Sequence, residues 1–300
     1  MNNEAIFFIT LYLVFLAFGK VKYIKGVERI TDVVVVMLIL TISYWAGEEI
    51  TINEVLTIIF TSLALSILSI LITYFSGITI DFYNRKILIK KGENMKIRYE
   101  GADKGGIVKY MAPFVIGWIL GLFIHISTVN LLVNLVNYEL YALASILGYI
   151  MGKDLNLKIL LNSGKDSLLS ILITILGDIL LAVIIFALRI TNFSVALVIA
   201  LASGWYSYVG PLVAVSTNPY LGTLAFLINF LREQFTYILV PLLLRLKFEP
   251  RSAIAVGGAT AMDTTLPLYV ETLGKEYALS AMVTGVLLTL VIPIILPLII

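Results

Sequence analysis

Long apolar stretches recur along most of this chain, and they constrain its fold more than any other feature of the sequence. A helix that crosses a lipid bilayer needs about 20 predominantly apolar residues. Apolar residues make up 60% of the 300 residues, charged residues only 13%, and the mean hydropathy is +1.02. A water-soluble domain carries about twice that charged fraction. The sequence therefore predicts an all-α polytopic membrane protein, and it excludes a soluble globule, a disordered chain and a nucleic-acid-binding protein.

Eight of the apolar stretches are interpreted as membrane-spanning helices. They are residues 5–19, 32–46, 55–78, 107–126, 131–152, 167–188, 219–245 and 277–299. These spans use most of the apolar residues, so residues 1–300 are predicted to form a single transmembrane domain. Residues 79–106 are predicted to be its one sizeable polar loop, on the cytoplasmic side.

The basic residues indicate how the spans are oriented. Most of the 21 Lys and Arg residues fall in loops that share one side of the membrane. Basic loops stay in the cytoplasm, so a multi-pass protein of the cell membrane with both termini outside is predicted. This orientation requires residues 193–217 to enter the membrane and return to the same face, and residues 252–273 to do likewise from the opposite face.

These two segments are apolar, but Gly, Ser, Thr and Pro residues interrupt both of them. Non-helical backbone at membrane depth is tolerated only against protein or a watery cavity. Short interrupted segments of this kind point to the binding site of a transporter. The alternative is two ordinary kinked spans, which would place Arg245, Lys247 and Arg251 on the outside.

A weak internal repeat accompanies this pattern. Residues 44–47 and 68–73 resemble residues 149–152 and 169–174. The spans that carry them are predicted to run in opposite directions, so the repeat would be an inverted one.

Asp263 is the embedded polar residue that most strongly indicates a site. It lies among glycines, threonines and a proline in residues 257–267, where the backbone is predicted to unwind, and Thr264 places a hydroxyl beside it. A charge within a membrane span is costly and is by default a functional hypothesis. We interpret Asp263 and Thr264 as part of a cation site; the alternative is a structural Asp satisfied by neighbouring hydroxyls and amides.

The last long span before Asp263 carries a second polar group. Asn229, Arg232 and Glu233 share one helical face. Arg232 could clamp a substrate carboxylate, or it could pair with Glu233, Asp263 or Asp178 in a structural ion pair.

Two further candidate positions lie elsewhere in the chain. Trp205 and Ser207 lie within the first broken segment, where Trp205 could line a cavity and meet an alkylammonium group. Glu48 and Glu49 lie at the outer end of the second span, and solvated loop acids are the simpler interpretation of that pair.

Three motifs carry a resemblance to a known family. Residues 203–207 read SGWYS, residues 229–233 read NFLRE, and residues 258–267 read GATAMDTTLP. They resemble, in order and spacing, the patterns SGWYS, N-x-x-R-E and GATxMDxTLP of the prokaryotic lysine exporter family (LysO). The resemblance is specific over about 190–300. It implies eight spans, outward termini and two functional membrane-embedded acids, one of them at Asp263. The other should lie near the end of the second span, where the family's pattern has Asp; Glu48 is assigned to this role, with Glu49 as the alternative.

The resemblance implies secondary active export of L-lysine and analogues such as thialysine, by exchange with protons or Na⁺. A monovalent cation/proton antiporter is the alternative. No enzyme is expected, because the sequence contains no Cys and one His. We expect no cofactor beyond H⁺ or Na⁺ as coupling ion. The expected partners are the small-molecule substrate and membrane lipid, with further copies of the chain as a candidate.

Overall fold

The computed structural model describes residues 3–22, 26–83, 104–125, 129–154 and 164–300. Most of these residues lie in α-helices, and no strand occurs among them. The helices are α1 (Asn3–Val21), α2 (Val27–Glu49), α3 (Ile52–Tyr83), α4 (Lys104–Phe123), α5 (Val129–Asp154), α6 (Gly164–Ala187), α7 (Phe193–Leu201), α8 (Tyr206–Ser216), α9 (Pro219–Leu246), α10 (Pro250–Gly257), α11 (Leu266–Leu273) and α12 (Lys275–Ile299). A short 3-10 helix, Gly258–Met262, lies between α10 and α11.

Within the described ranges, six helices are long and apolar enough to cross a membrane: α2, α3, α5, α6, α9 and α12. Shorter apolar helices lie within α1 and α4. Together they coincide with the eight predicted spans, so the prediction of an all-α polytopic membrane protein is confirmed. Both ends of the stretch 79–106, which was predicted to be a polar loop, are helical, because α3 continues to Tyr83 and α4 starts at Lys104. The remainder of that stretch, 84–103, lies outside the described residues.

Glycines bring the backbones of α1 and α5 into contact. A Cβ on Gly148 would lie 2.3 Å from the Tyr12 carbonyl oxygen, and one on Gly152 would lie 2.2 Å from that of Leu16. Small residues allow such close approach of membrane helices. Since the residue numbers rise together along the contact, α1 and α5 run parallel.

Helices α2 and α4 form a second parallel pair of the same kind. A Cβ on Gly47 would lie 2.3 Å from the Trp118 carbonyl oxygen, and one on Gly121 would lie 2.1 Å from that of Tyr44. Each of these two pairs is therefore held backbone against backbone.

The two segments predicted to be broken are interrupted helices. The first consists of α7 and α8, separated by residues 202–205, where Ser203 (φ 52°) and Gly204 (φ 93°) are left-handed. The second consists of α10, the 3-10 helix and α11, and it turns at Gly258 (φ 56°). The Ala259 N–H donates to the Ser203 carbonyl oxygen at 3.0 Å, so the two interruptions touch. Their return to the same face of the membrane stays a prediction, as does the inverted repeat.

Candidate functional site: a cavity at two helix interruptions

A cavity of about 200 Å³ lies beside the contact between the two interruptions. A water molecule occupies about 30 Å³ in the liquid, so this volume accommodates several waters or one small solute. Seven helical elements contribute to its wall. The lining residues are Thr31, Asp32, Val35, Tyr110, Leu143, Leu147, Gly204, Trp205, Tyr206, Ser207, Glu233, Ala259, Thr260, Met262, Asp263, Thr264 and Thr289.

Three carboxylates line this cavity, from three different elements: Asp32 of α2, Glu233 of α9, and Asp263 just after the 3-10 helix. The described lining residues include no Lys and no Arg. Asp263 is exposed toward the cavity, whereas Glu233 is 6% exposed. Concentrated negative charge in a partly enclosed space attracts cations.

Thr264 connects Glu233 and Asp263. Its backbone N–H donates to Asp263 Oδ1 at 2.6 Å. Its hydroxyl oxygen lies 3.1 Å from Glu233 Oε2 and 3.3 Å from Asp263 Oδ1. A threonine hydroxyl has one proton, so it can donate to one of these oxygens at a time. The two carboxylates therefore share one donor, and a cation between them would interact favourably with both.

Asp32 lies at the end of the cavity where α2 and α4 begin. Its Oδ1 pairs with the Lys109 ammonium of α4 at 2.7 Å, and both side chains are partly exposed, at 51% and 39%. Lys109 also lies over the ring of Tyr110, 5.3 Å from its centroid. An exposed ion pair of this kind contributes little to stability, so the ammonium group of a solute can compete with Lys109 for Asp32.

The part of the wall that the first turn of α8 forms favours an anion rather than a cation. Trp205 precedes α8, and Tyr206 and Ser207 begin it; all three line the cavity. A helix N-terminus carries a partial positive charge that favours an anion. In α8 the Tyr206 and Tyr208 N–H groups already donate to the Gly204 and Trp205 carbonyl oxygens, so the Ser207 N–H is the donor that the first turn offers. The cavity thus combines carboxylates for a cation with a helix N-terminus for an anion.

Asn229 lies behind the cavity and holds the first interruption in shape. Its Oδ1 accepts from the Gly204 N–H at 2.8 Å, and its Nδ2 donates to the carbonyl oxygens of Ile199 and Ala225 at 2.9 and 3.0 Å. Through Gly204 and Ile199 it therefore satisfies backbone groups that the end of α7 leaves without helical partners, whereas Ala225 belongs to α9 itself.

Arg232 also lies behind the cavity rather than in its wall. Its Nη1 pairs with Asp178 Oδ1 of α6 at 2.6 Å, and its Nε donates to the Val256 carbonyl oxygen at 3.1 Å. Asp178 Oδ2 accepts from the Ser203 hydroxyl at 2.5 Å. Of the partners considered from the sequence, Asp178 is the one observed. The arrangement links α6 and α9 to both interruptions.

Glu48 lies far from the cavity, at the other end of α2. It is sixteen residues from Asp32, or about 24 Å along the helix axis. Its Oε1 accepts from the Tyr44 hydroxyl at 2.8 Å, and Glu49 accepts from the Trp45 indole N–H at 2.7 Å. A role for either acid in ion uptake stays a prediction.

Of the residues predicted from the sequence, the structure brings Asp263, Glu233, Thr264, Ser207 and Trp205 together around the cavity. Asp32 is the functional candidate that sequence reasoning missed. It is the first residue of the predicted span 32–46, and a carboxylate in the first turn of a span was a usable signal. Tyr110 and Leu143 carried no such signal.

The fold and the cavity define a polytopic α-helical membrane protein built around a polar cavity. The family model of the lysine exporter LysO matches residues 111–300, more than half of the chain. The chain therefore belongs to the lysine exporter LysO family.

Two relatives agree with this assignment over shorter stretches. The chain is 40% identical over 100 residues, 33% of its length, to the lysine exporter LysO of Escherichia coli (strain K12). It is 32% identical over 93 residues, 31% of its length, to a Haemophilus influenzae protein. The matched stretches cover 32% and 47% of those proteins. No solved structure matches this chain.

Proposed function

We propose that this protein is a secondary active exporter of L-lysine and of lysine analogues such as thialysine, and not an enzyme. The observation that carries the proposal is the cavity wall beside the two helix interruptions, where the described lining residues include three carboxylates and no Lys or Arg, and Lys109 next to the wall pairs with one of the three, Asp32. Family membership supports amino-acid export as the class of activity.

Lysine offers two ammonium groups, one carboxylate and an aliphatic chain between them. Glu233 and Asp263, which share the Thr264 hydroxyl, suit one ammonium group, and Asp32 suits the other after displacing Lys109. The first turn of α8 at Ser207 suits the carboxylate. Arg232 is not needed for that role, because its guanidinium is paired with Asp178.

Export needs coupling, because moving one positive charge out of a negative-inside cell costs about 2.3 kcal/mol per 100 mV. A proton or Na⁺ that enters from outside and competes with lysine for Asp263 would make the exchange electrically neutral. Glu48, at the outer end of α2 in the predicted orientation, would collect the incoming ion. Both termini lie outside the cell membrane in this proposal.

A monovalent cation/proton antiporter would use the same carboxylates with Na⁺ as substrate. The rest of the wall argues against a bare metal ion, since Val35, Leu143, Leu147, Trp205 and Met262 present apolar surface. A hydrated or coordinated Na⁺ gains nothing from such surface, whereas the methylene chain of lysine does.

The test is flux of labelled lysine in proteoliposomes that contain the purified protein. Removing one partner of a buried charged contact costs about 2–5 kcal/mol, so Asp263→Asn should lower lysine flux on the order of 30-fold or more. Asp166→Asn is the matched control, because Asp166 pairs with Arg251 away from the cavity. Full lysine flux in Asp263→Asn, or Na⁺ flux without lysine flux in the unaltered protein, would contradict the proposal.

A further inference from the structure

We infer that Glu139 is a proton-binding site that couples transport to the proton gradient. This inference rests on the proposed function and names its coupling ion. Glu139 lies in α5 and is 7% exposed, and it belongs to neither the cavity wall nor any ion pair among the described residues.

The position of Glu139 relates it to the cavity. Leu143, which lines the cavity, follows four residues later on the same face of α5, about 6 Å along the axis. Thr41 of α2 contacts Glu139, and Val35, six residues earlier in α2, lines the cavity. Glu139 therefore lies one to two helical turns beyond the cavity, toward the end of the molecule where α2 ends. That end is the outer one in the predicted orientation.

The contacts of Glu139 are those of a group that holds a proton. Its Oε1 accepts from the Thr41 hydroxyl at 3.0 Å. Its Oε2 is buried and has no hydrogen-bond partner among the residues that the structure describes. An isolated carboxylate in such surroundings is far more costly than a neutral carboxyl group. A buried acid in a membrane span is by default part of an ion or proton pathway.

The helices packed against α5 are α1, α2, α8 and α12. Their titratable side chains, where described, are Tyr12, Lys20, Arg29, Asp32, Tyr44, Glu48, Glu49, Tyr206, Tyr208 and Tyr277, and α5 itself adds Tyr138, Tyr141 and Tyr149. None of them forms a hydrogen bond or an ion pair with Glu139. With the described side chains excluded, a proton is the charge that neutralises Glu139 in this inference.

The surroundings also distinguish a proton from a metal ion. Metal cations held by oxygen need several ligands at once, and Glu139 has the single hydroxyl of Thr41 beside it. Among the described residues, no group of three or more His, Cys, Asp or Glu could hold a metal ion. A proton needs only one oxygen.

In the proposed cycle, a proton from the outer side binds the Glu139 carboxylate and gives a neutral carboxyl group. It leaves for the cavity and the cytoplasmic side, and the carboxylate re-forms when lysine moves outward. No bond other than O–H is made or broken.

The test compares two transport modes of Glu139→Gln in proteoliposomes. Exchange of labelled for unlabelled lysine at equal pH needs no net proton movement, whereas net lysine flux driven by a pH gradient does. Glu139→Gln should keep the exchange and lose the gradient-driven flux. The control is Glu54→Gln, which removes an exposed carboxylate that is bonded to Thr51, and it should keep both. Retained gradient-driven flux in Glu139→Gln would overturn the inference.

Infrared difference spectroscopy keeps the inference testable if that variant fails to fold or loses both modes. Glu139→Asp, which retains an acid, serves as the second variant. The band of a protonated carboxyl group should be present in the unaltered protein and shift in Glu139→Asp. Absence of that band, or an unshifted band, would refute a protonated Glu139. If the unaltered protein moves no lysine at all, the proposed function fails, while the infrared result still decides the state of Glu139.

Discussion

The ion pair between Arg232 and Asp178 should be the most costly polar contact to break in this protein. The Arg232 side chain is 2% exposed, the Asp178 side chain is fully buried, and Nη1 lies 2.6 Å from Oδ1. At an effective dielectric constant of about 20, two unit charges at that distance attract by about 6 kcal/mol. The attraction has to offset the cost of taking both charges out of water.

Removing one partner leaves the other charge buried alone, which costs about 3–5 kcal/mol. Asp178→Asn strands the Arg232 guanidinium, and Arg232→Met strands the Asp178 carboxylate and the Val256 carbonyl oxygen. At about 2 °C per kcal/mol for a chain of this size, each variant should lower Tm on the order of 10 °C. The double variant Asp178→Leu with Arg232→Met leaves no charge behind, so it should recover most of that loss.

The assay is thermal unfolding in lipid nanodiscs, with the two single variants and the double variant forming a cycle. Asp166→Asn is again the control. Its partner Arg251 lies at 2.6 Å, the same distance, but the side chains are 17% and 41% exposed. An exposed pair contributes up to about 1 kcal/mol. If Asp178→Asn lowers Tm no more than Asp166→Asn does, or if the double variant is as unstable as the two single variants combined, the reasoning is wrong.

Three further predictions concern the interruptions and the outer end of α2. Asn229→Leu should destabilise the protein by about 1–3 kcal/mol for each backbone group it strands, starting with the Gly204 N–H; thermal unfolding checks this, with Asn229→Gln, which keeps the amide, as the conservative variant. Gly258→Ala should cost about 1–3 kcal/mol in strain, because φ is 56° and its Cβ would lie 2.5 Å from a backbone oxygen. The control is Gly26→Ala, where φ is 98° but the space around the residue is open, so no such clash arises. An equal loss of Tm in the two variants would contradict the explanation. Glu48→Gln should slow lysine flux at low external concentrations of coupling ion and leave the flux at saturation unchanged, and an unaltered dependence on that ion would remove Glu48 from the mechanism.

The class of fold could be predicted because it depends on summed hydropathy, which survives errors at any single residue. The same property explains why the ends of α3 and α4 were misplaced, since polar helical turns outside a membrane resemble a loop in composition. The two interrupted helices could also be predicted, because Gly and Pro act on the local backbone.

The candidate site could be predicted in part. Asp263 and Thr264 belong to one short motif, so their neighbourhood follows from the sequence itself. Arg232 and Glu233 are adjacent in sequence but point to different places, one toward Asp178 and one into the cavity. Adjacent residues on a helix diverge by about 100°, and which direction faces the cavity depends on packing between helices. Asp32 and Glu139 are acids within predicted spans, which is a usable signal, but which groups they contact depends on neighbours on other helices.

The glycine contacts between α1 and α5, and between α2 and α4, restrict how the molecule can rearrange. Helices whose backbones are in contact cannot easily shift relative to each other. We therefore expect α1 with α5, and α2 with α4, each to move as one rigid body. If the two rigid bodies move apart, they separate at the side-chain layer between them, where Thr41 contacts Glu139. Such a separation would let water from the outer side reach the Glu139 side chain, which is buried in this structure.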